Sequence, residues 1–275
     1  MNPIIKWAGG KRKVSSHISK LFDYENDNLY DYNTYFEPFF GGGAVFFSLA
    51  EKKNRFISSM VSDLNEDLVN FYQFVKKSPK DIVWTLKEGG FHNNEQRYKE
   101  IRKLDVNKIT INERAARFIY LNKTSFNGLW RVNKAGQFNV PFGKYENPKF
   151  PSLEELEKAS ELLKDTTIMC CDYKTALHNV KGDDCVYLDP PYYPLSKTSN
   201  FTSYNNGSFS EQDHIDLFNE FERIKKKCKK VVLSNSSADF CIEQYKEHNI
   251  QFVDGTRSIS GFSDKRKTVK EIIVN

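Results

Sequence analysis

The chain is poor in the residues that mark several protein classes. Its 275 residues include only five cysteines, with no C-x-x-C pair, and Cys170 and Cys171 are adjacent. That suits neither a disulfide framework nor a zinc site and predicts a reducing cytoplasm. The histidines at 17, 92, 178, 214 and 248 are scattered and form no H-E-x-x-H, so no metal is expected. No apolar run approaches the roughly 20 residues of a membrane span, which predicts no membrane association. The start, Met1 to Trp7, lacks a basic residue followed by a long apolar stretch, so no secretory leader is expected. Two phosphate-binding patterns are missing as well. Lys6 to Lys11 looks superficially like a P-loop, but Ile5 stands where glycine is required and Arg12 where serine or threonine is. The dinucleotide pattern G-x-G-x-x-G fails because Phe46 stands three residues after Gly43.

Aromatic residues are plentiful, at 14%, with 22 Phe and 14 Tyr; charged residues make up 28% and apolar ones 39%. Such a chain buries one sizeable core, or a core plus a smaller lobe. The net charge of +5 is unevenly placed: residues 76–150 hold 16 Lys/Arg against 7 Asp/Glu, so the remainder is acidic. A basic block in an acidic chain suits a lobe that meets a polyanion, although a solvated helical face would also account for the charge alone. A second basic run, Lys225 to Lys230, reads as the C-terminus of an amphipathic helix.

Strand and helix patterns alternate outside that block. Strands are expected at 34–40, 56–62, 166–171, 184–188, 230–234, 250–254 and 269–274, with helices at 44–51, from Glu66, and at 211–227 and 238–247. From about 77 to 150 the alternation stops. Helices are expected near 79–88, 95–104 and 111–122, followed by an irregular stretch with short strands within 129–140, and a further helix at 152–164. The pattern predicts an α/β sheet domain with an inserted lobe.

Two motifs carry chemistry. Phe39 to Gly43 reads F-x-G-x-G at a strand end, where glycines permit a sharp turn and close approach of a ligand. Asp63 ends the second strand, at a spacing suited to holding ribose hydroxyls. A tight turn with a helix-capping aspartate is the alternative. A ligand with adenosine but no phosphates fits this pattern best. Trp7 offers a flat face, and Lys11 a point charge that could meet a carboxylate. The second motif, Asp189, Pro190, Pro191 and Tyr192, follows the apolar run Cys185 to Leu188. The prolines fix φ and free the local carbonyls from a sheet ladder. One carboxylate and one carbonyl can then accept both N–H bonds of an exocyclic amine while Tyr192 stacks on its ring. This would aim the nitrogen lone pair at an electrophilic methyl. The motif alone does not separate adenine from cytosine amines.

In this order the motifs resemble the Dam-type DNA adenine-N6 methyltransferases. The likeness includes Lys6 to Lys11, Glu37 to Phe39, Asp63, Phe126 to Arg131, Phe138 to Gly143, Asp189 to Tyr192, Asn200 to Thr202 and Arg257 to Ser260. It implies a Rossmann-like, S-adenosylmethionine-dependent methyltransferase sheet formed by residues 1–75 and 165–275, with a mainly helical target-recognition domain at 76–164. It implies that Trp7, Lys11, Phe39, Gly41, Gly43, Asp63, Asp172, Tyr173 and Asp189 bind S-adenosylmethionine. It also implies a duplex DNA partner containing GATC, read by Lys6, Phe126, Asn127, Leu129, Arg131 and Pro141. Phe126 would fill the gap left by a flipped base, Asn127 would pair with the orphaned thymine, and Arg131 would fork onto a guanine. Asn200, Thr202, Arg257 and Ser258 would hold phosphates or the approach loop. Lys123 departs from the arginine of many relatives, which bears on the phosphate contacts. The expected protein is a cytoplasmic, nucleoid-associated monomer, with a cognate restriction endonuclease as a possible companion. A methyltransferase of another sequence or of cytosine N4, or a non-catalytic DNA-binding module, are the alternatives.

Overall fold

The computed structural model of the chain describes residues 1–11, 14–23, 30–52, 55–195, 209–256 and 268–275. Among the described residues seven strands form one sheet: β1 (Tyr32–Glu37), β2 (Phe56–Asp63), β3 (Thr166–Cys170), β4 (Gly182–Leu188), β5 (Cys228–Ser236), β6 (Ile250–Thr256) and β7 (Thr268–Val274). Their spatial order is β3-β2-β1-β4-β5-β7-β6. The first five are parallel, and β7 lies antiparallel between β5 and β6. This is the expected Rossmann-like α/β sheet.

Strand period decides the layers. Tyr35, Tyr187, Val232 and Ile273 enter one core, together with α1 (Ser15–Leu21), α2 (Ala44–Ala50) and α3 (Glu66–Lys77). Their chain neighbours Phe36, Val186, Leu188, Val231, Leu233, Ile272 and Val274 enter a second core on the opposite face. That face is covered by α8 (Tyr173–Ala176), α9 (Glu211–Lys225) and α10 (Asp239–Gln244). Successive side chains on a strand point to opposite faces, so a central strand buried on both sides reads as a continuous apolar run, as Cys185 to Leu188 does.

Between β2 and β3 lie α3, α4 (Pro79–Glu88), α5 (Glu95–Lys103), α6 (Ile111–Thr124) and α7 (Leu153–Leu162). Four of the five start at a side-chain cap, and α4 starts at Pro79 without one. Asn65 and Asn94 accept from Leu68 and Arg97 N–H, and Thr110 and Ser152 form capping boxes with Glu113 and Glu155. Buried Arg117 on α6 donates to the carbonyls of Ile101 and Arg102 at the end of α5, satisfying groups the helix leaves open. A third core of Tyr98, Ile101, Tyr120, Leu121, Phe138 and Val140 lies within this segment. Phe118 on α6 and Leu156 on α7 instead join the first core, Phe118 meeting Phe71 at 5.0 Å.

Some expectations needed correction. The stretch 129–140 forms no strand; it makes the isolated bridge Val132↔Phe138, and Ser125↔Phe142 bridges nearby. Lys229 and Lys230 lie on β5 rather than at a helix end, because the strand starts at Cys228. The short helices α1 and α8 carry too few turns to show a period. Among the described residues no helix is long and apolar enough to cross a membrane, and no group of three or more His, Cys, Asp or Glu is placed to hold a metal ion.

Candidate active site

The C-terminal edge of the parallel strands collects the motif residues, as expected for an open α/β sheet. Glu37 ends β1, Asp63 ends β2 opposite Cys170 of β3, Asp172 follows β3, and Asp189 follows β4.

The glycine turn is built around Trp7. Gly41 has φ +48° and Gly43 φ +67°, backbone conformations that tax any residue with a Cβ. A Cβ on Gly41 would lie 2.8 Å from Trp7 Cδ1, and one on Gly43 2.8 Å from Phe40 Cζ. Gly41 N–H donates to Asp63 Oδ2 at 3.0 Å, and Asn65 N–H to Asp63 Oδ1 at 2.9 Å. Leu64 N–H is a further backbone donor to this carboxylate, which leaves it limited acceptor capacity for another partner. Burial raises the Asp63 pKa, opposed by the N–H bonds it accepts. Phe39 stacks on Tyr173 with ring centroids 5.5 Å apart, and Asp172 caps α8 by accepting from Thr175 N–H at 2.7 Å.

The Asp189 turn meets the N-terminal segment. Lys11 Nζ lies 2.8 Å from Asp189 Oδ1, 3.0 Å from the Gly9 carbonyl and 4.4 Å from the Tyr192 ring centroid. The Lys11 side chain is 6% exposed and that of Asp189 18%. Burial pushes the Asp189 carboxyl up to about 6; Lys11 opposes that rise and Glu271 adds to it. Beside them Glu37 is buried and accepts from Tyr35 Oη at 2.7 Å. Its carboxyl is pushed well above the usual range, chiefly by burial, with Asp189 adding to the rise and Tyr35 opposing it.

The turn is clamped from the neighbouring strands. Tyr192 Oη donates to Glu271 Oε2 on β7 at 2.9 Å. Tyr193 N–H donates to Asn235 Oδ1 at 3.2 Å, and Ser236 Oγ to the Tyr193 carbonyl at 2.6 Å. These three partners escape a sequence reading. Ser234, Asn235 and Ser236 do interrupt the apolar run of β5, and a polar triplet at a strand's C-terminal end is the one available hint.

A second cluster forms beyond α6. Phe126 is 45% exposed, and its N–H donates to the Pro141 carbonyl at 2.9 Å. Asn127 has φ +56°, in the left-handed region that asparagine tolerates, and its N–H donates to Tyr145 Oη at 2.9 Å. Lys6 places its ammonium 4.9 Å from the Tyr145 ring centroid. Arg131 Nε donates to Asn139 Oδ1 at 2.7 Å. Leu129 packs against the third core. Lys123, part of α6, has its pKa pushed down to about 8 by burial and by Lys6, with Glu155 opposing. Asn200, Thr202, Arg257 and Ser258 lie outside the described residues. Tyr145 was missed from sequence, since a lone tyrosine in an irregular stretch has no period to identify it.

Comparison with known proteins fits this arrangement. Residues 7–259 match the profile of the D12 class N6 adenine-specific DNA methyltransferases. The Type II methyltransferase M1.LlaDCHI of Lactococcus lactis is 40% identical over 280 residues, covering 100% of this chain and 95% of the relative. The Type II methyltransferase M.MjaIII of Methanocaldococcus jannaschii is also 40% identical, covering 97% and 96%. The DNA adenine methylase of Escherichia coli is 32% identical, covering 98% and 93%. The chain therefore belongs to the D12 class N6 adenine-specific DNA methyltransferases, and S-adenosylmethionine is its methyl donor.

Proposed function

We propose that this protein methylates the adenine of GATC in duplex DNA after flipping the base, and that the Lys11–Asp189–Tyr192 group is the catalytic centre. The observation that carries this reading is a partly exposed carboxylate on a rigid two-proline turn, beside an aromatic ring. Residues 1–75 and 165–275 would form the catalytic domain and 76–164 the recognition domain. The third core within the insert supports that division, while Phe118 and Leu156 anchor the insert to the sheet domain.

The residues present fit the donor. The turn of Gly41 and Gly43 is a cradle that a Cβ would fill, Asp63 keeps acceptor capacity for a ribose hydroxyl, and Phe39 with Tyr173 offers apolar ring surface. When bound, the donor supplies an electrophilic methyl on a sulfonium. The protein's part is orientation. Asp189 and the Pro190 carbonyl accept the two N–H bonds of the adenine amine, which turns its lone pair toward that methyl and stabilises positive charge growing on nitrogen. Tyr192, tethered to Glu271, stacks on the ring.

On the DNA side, extruding a base costs a few kcal/mol. Exposed Phe126 suits the vacated space, Asn127 beside it can pair with the orphaned base, and Arg131, Leu129 and Pro141 would read base edges and methyls. The test is incubation with donor and duplex, digestion with methylation-sensitive GATC cutters, and mapping of modified bases. Protection with N6-methyladenine at GATC is expected. N4-methylcytosine, or N6-methyladenine at another site, would overturn the target, and binding without transfer would overturn the chemistry.

A further inference from the structure

The segment from Lys6 to Lys11 touches both halves of the machinery. At one end Lys11 pairs with Asp189. At the other, a single side chain of the insert holds the backbone of Lys6 from both sides. Lys6 N–H donates to Asn122 Oδ1 at 3.0 Å, and Asn122 Nδ2 donates to the Lys6 carbonyl at 2.6 Å. Asn122 is part of α6 and is fully buried, so either bond, if lost, leaves a polar group without water. Its Nδ2 also lies 3.4 Å from the Gly128 carbonyl, in the recognition turn. Gly128 has φ +65°, and a Cβ there would lie 2.7 Å from Lys6 Cδ. The stem of Lys6 thus lies on the turn that carries Phe126 and Asn127.

An amide that takes both backbone groups of one residue works like a β-bridge: it sets that residue's rotation as well as its position. We propose that Asn122 is a positioning residue for target discrimination. It fixes the Lys6 backbone against Gly128, which sets the reach of the Lys6 ammonium toward a base edge. It also registers the Lys6–Lys11 segment, so a correct base contact at Lys6 is felt at the Lys11–Asp189 pair. The inference rests on the reading above in which Lys6 is one of the residues that read the target site, and it assigns Lys6 to the outer G·C pair.

A double-mutant cycle tests it. The wild type, Lys6→Ala, Asn122→Ala and the double variant are assayed for kcat and KM on a GATC duplex and on one with the outer G·C pair replaced. Asn122→Ala is expected to cut discrimination between the duplexes about tenfold or more, chiefly in kcat, with no further loss on adding Lys6→Ala, as for residues acting through one contact. An equal loss on both duplexes, or additive losses, would overturn the proposal by reducing Asn122 to a packing residue. Should Asn122→Ala fail to fold, Asn122→Asp keeps the volume and the acceptor for Lys6 N–H but loses the donor to its carbonyl. Reduced discrimination in that variant supports the proposal, and wild-type discrimination overturns it. A wild type that leaves GATC unmethylated overturns the target reading alone, and the cycle is then run on the mapped site.

Discussion

Lys11 and Asp189 form a largely buried ion pair at 2.8 Å, with the same ammonium lying over the ring of Tyr192. One cation thus orders both the acceptor and the stacking surface of the proposed base pocket. It also holds down the pKa of a carboxylate that burial would otherwise raise further.

The first prediction concerns pH. The Asp189 pKa is raised to about 6, and only the ionised carboxylate accepts from the amine without itself donating. Activity, as kcat/KM, therefore falls as pH drops through about 6. Lys11→Ala removes a charge that lowers this pKa, so the acid limb moves to higher pH. Glu271→Gln removes a charge that raises it, so the limb moves to lower pH. Rate profiles of the two variants should shift in opposite directions; a common direction would show that another group sets the limb.

Replacing the carboxylate itself is the second test. Asp189→Asn is expected to lower kcat by about 10²–10³, the scale of losing one preorganised charge-stabilising group. Duplex binding should stay measurable by gel shift. Retained transfer would refute the assignment.

The glycine turn yields a third prediction. Gly41→Ala forces a Cβ into positive φ and against Trp7, at a backbone cost of about 1–2 kcal/mol before any clash. If the turn holds the donor, affinity measured by calorimetry drops about tenfold or more. Unchanged affinity with lowered stability would make the turn purely structural.

Lys123 supplies a fourth. Its pKa of about 8 means that the charged form, which a phosphate would favour, is lost as pH rises through 8. Duplex affinity should therefore fall between pH 7 and 9 in the wild type, and fall less in Lys123→Arg, whose guanidinium stays charged. Parallel pH curves would exclude a phosphate contact at this position.

Arg131→Ala separates base reading from phosphate binding. Loss of preference at one guanine, worth about 1–3 kcal/mol, is expected for a base contact. A uniform loss across sequences, measured by competition binding, would make it a backbone contact instead.

Much of this was legible in the chain itself because it is local. A strand ending in glycines, a carboxylate closing the next strand and two prolines after an apolar run are short-range patterns. Their meaning depends on φ, periodicity and the missing N–H of proline. The capping residues Asn65, Thr110 and Ser152 likewise announce their helices within four positions. Partners distant in sequence were not legible. That Lys11 meets Asp189, that Tyr192 leans on Glu271, that Asn235 and Ser236 hold Tyr193, and that Asn122 grips Lys6 were all decided by the order of strands and the docking of α6. Hydrogen bonds and ion pairs depend on separations of about 3 Å in space, whatever the separation along the chain. Sequence thus determined which chemical groups stand at each strand end, and only the folded sheet decided which of them face one another.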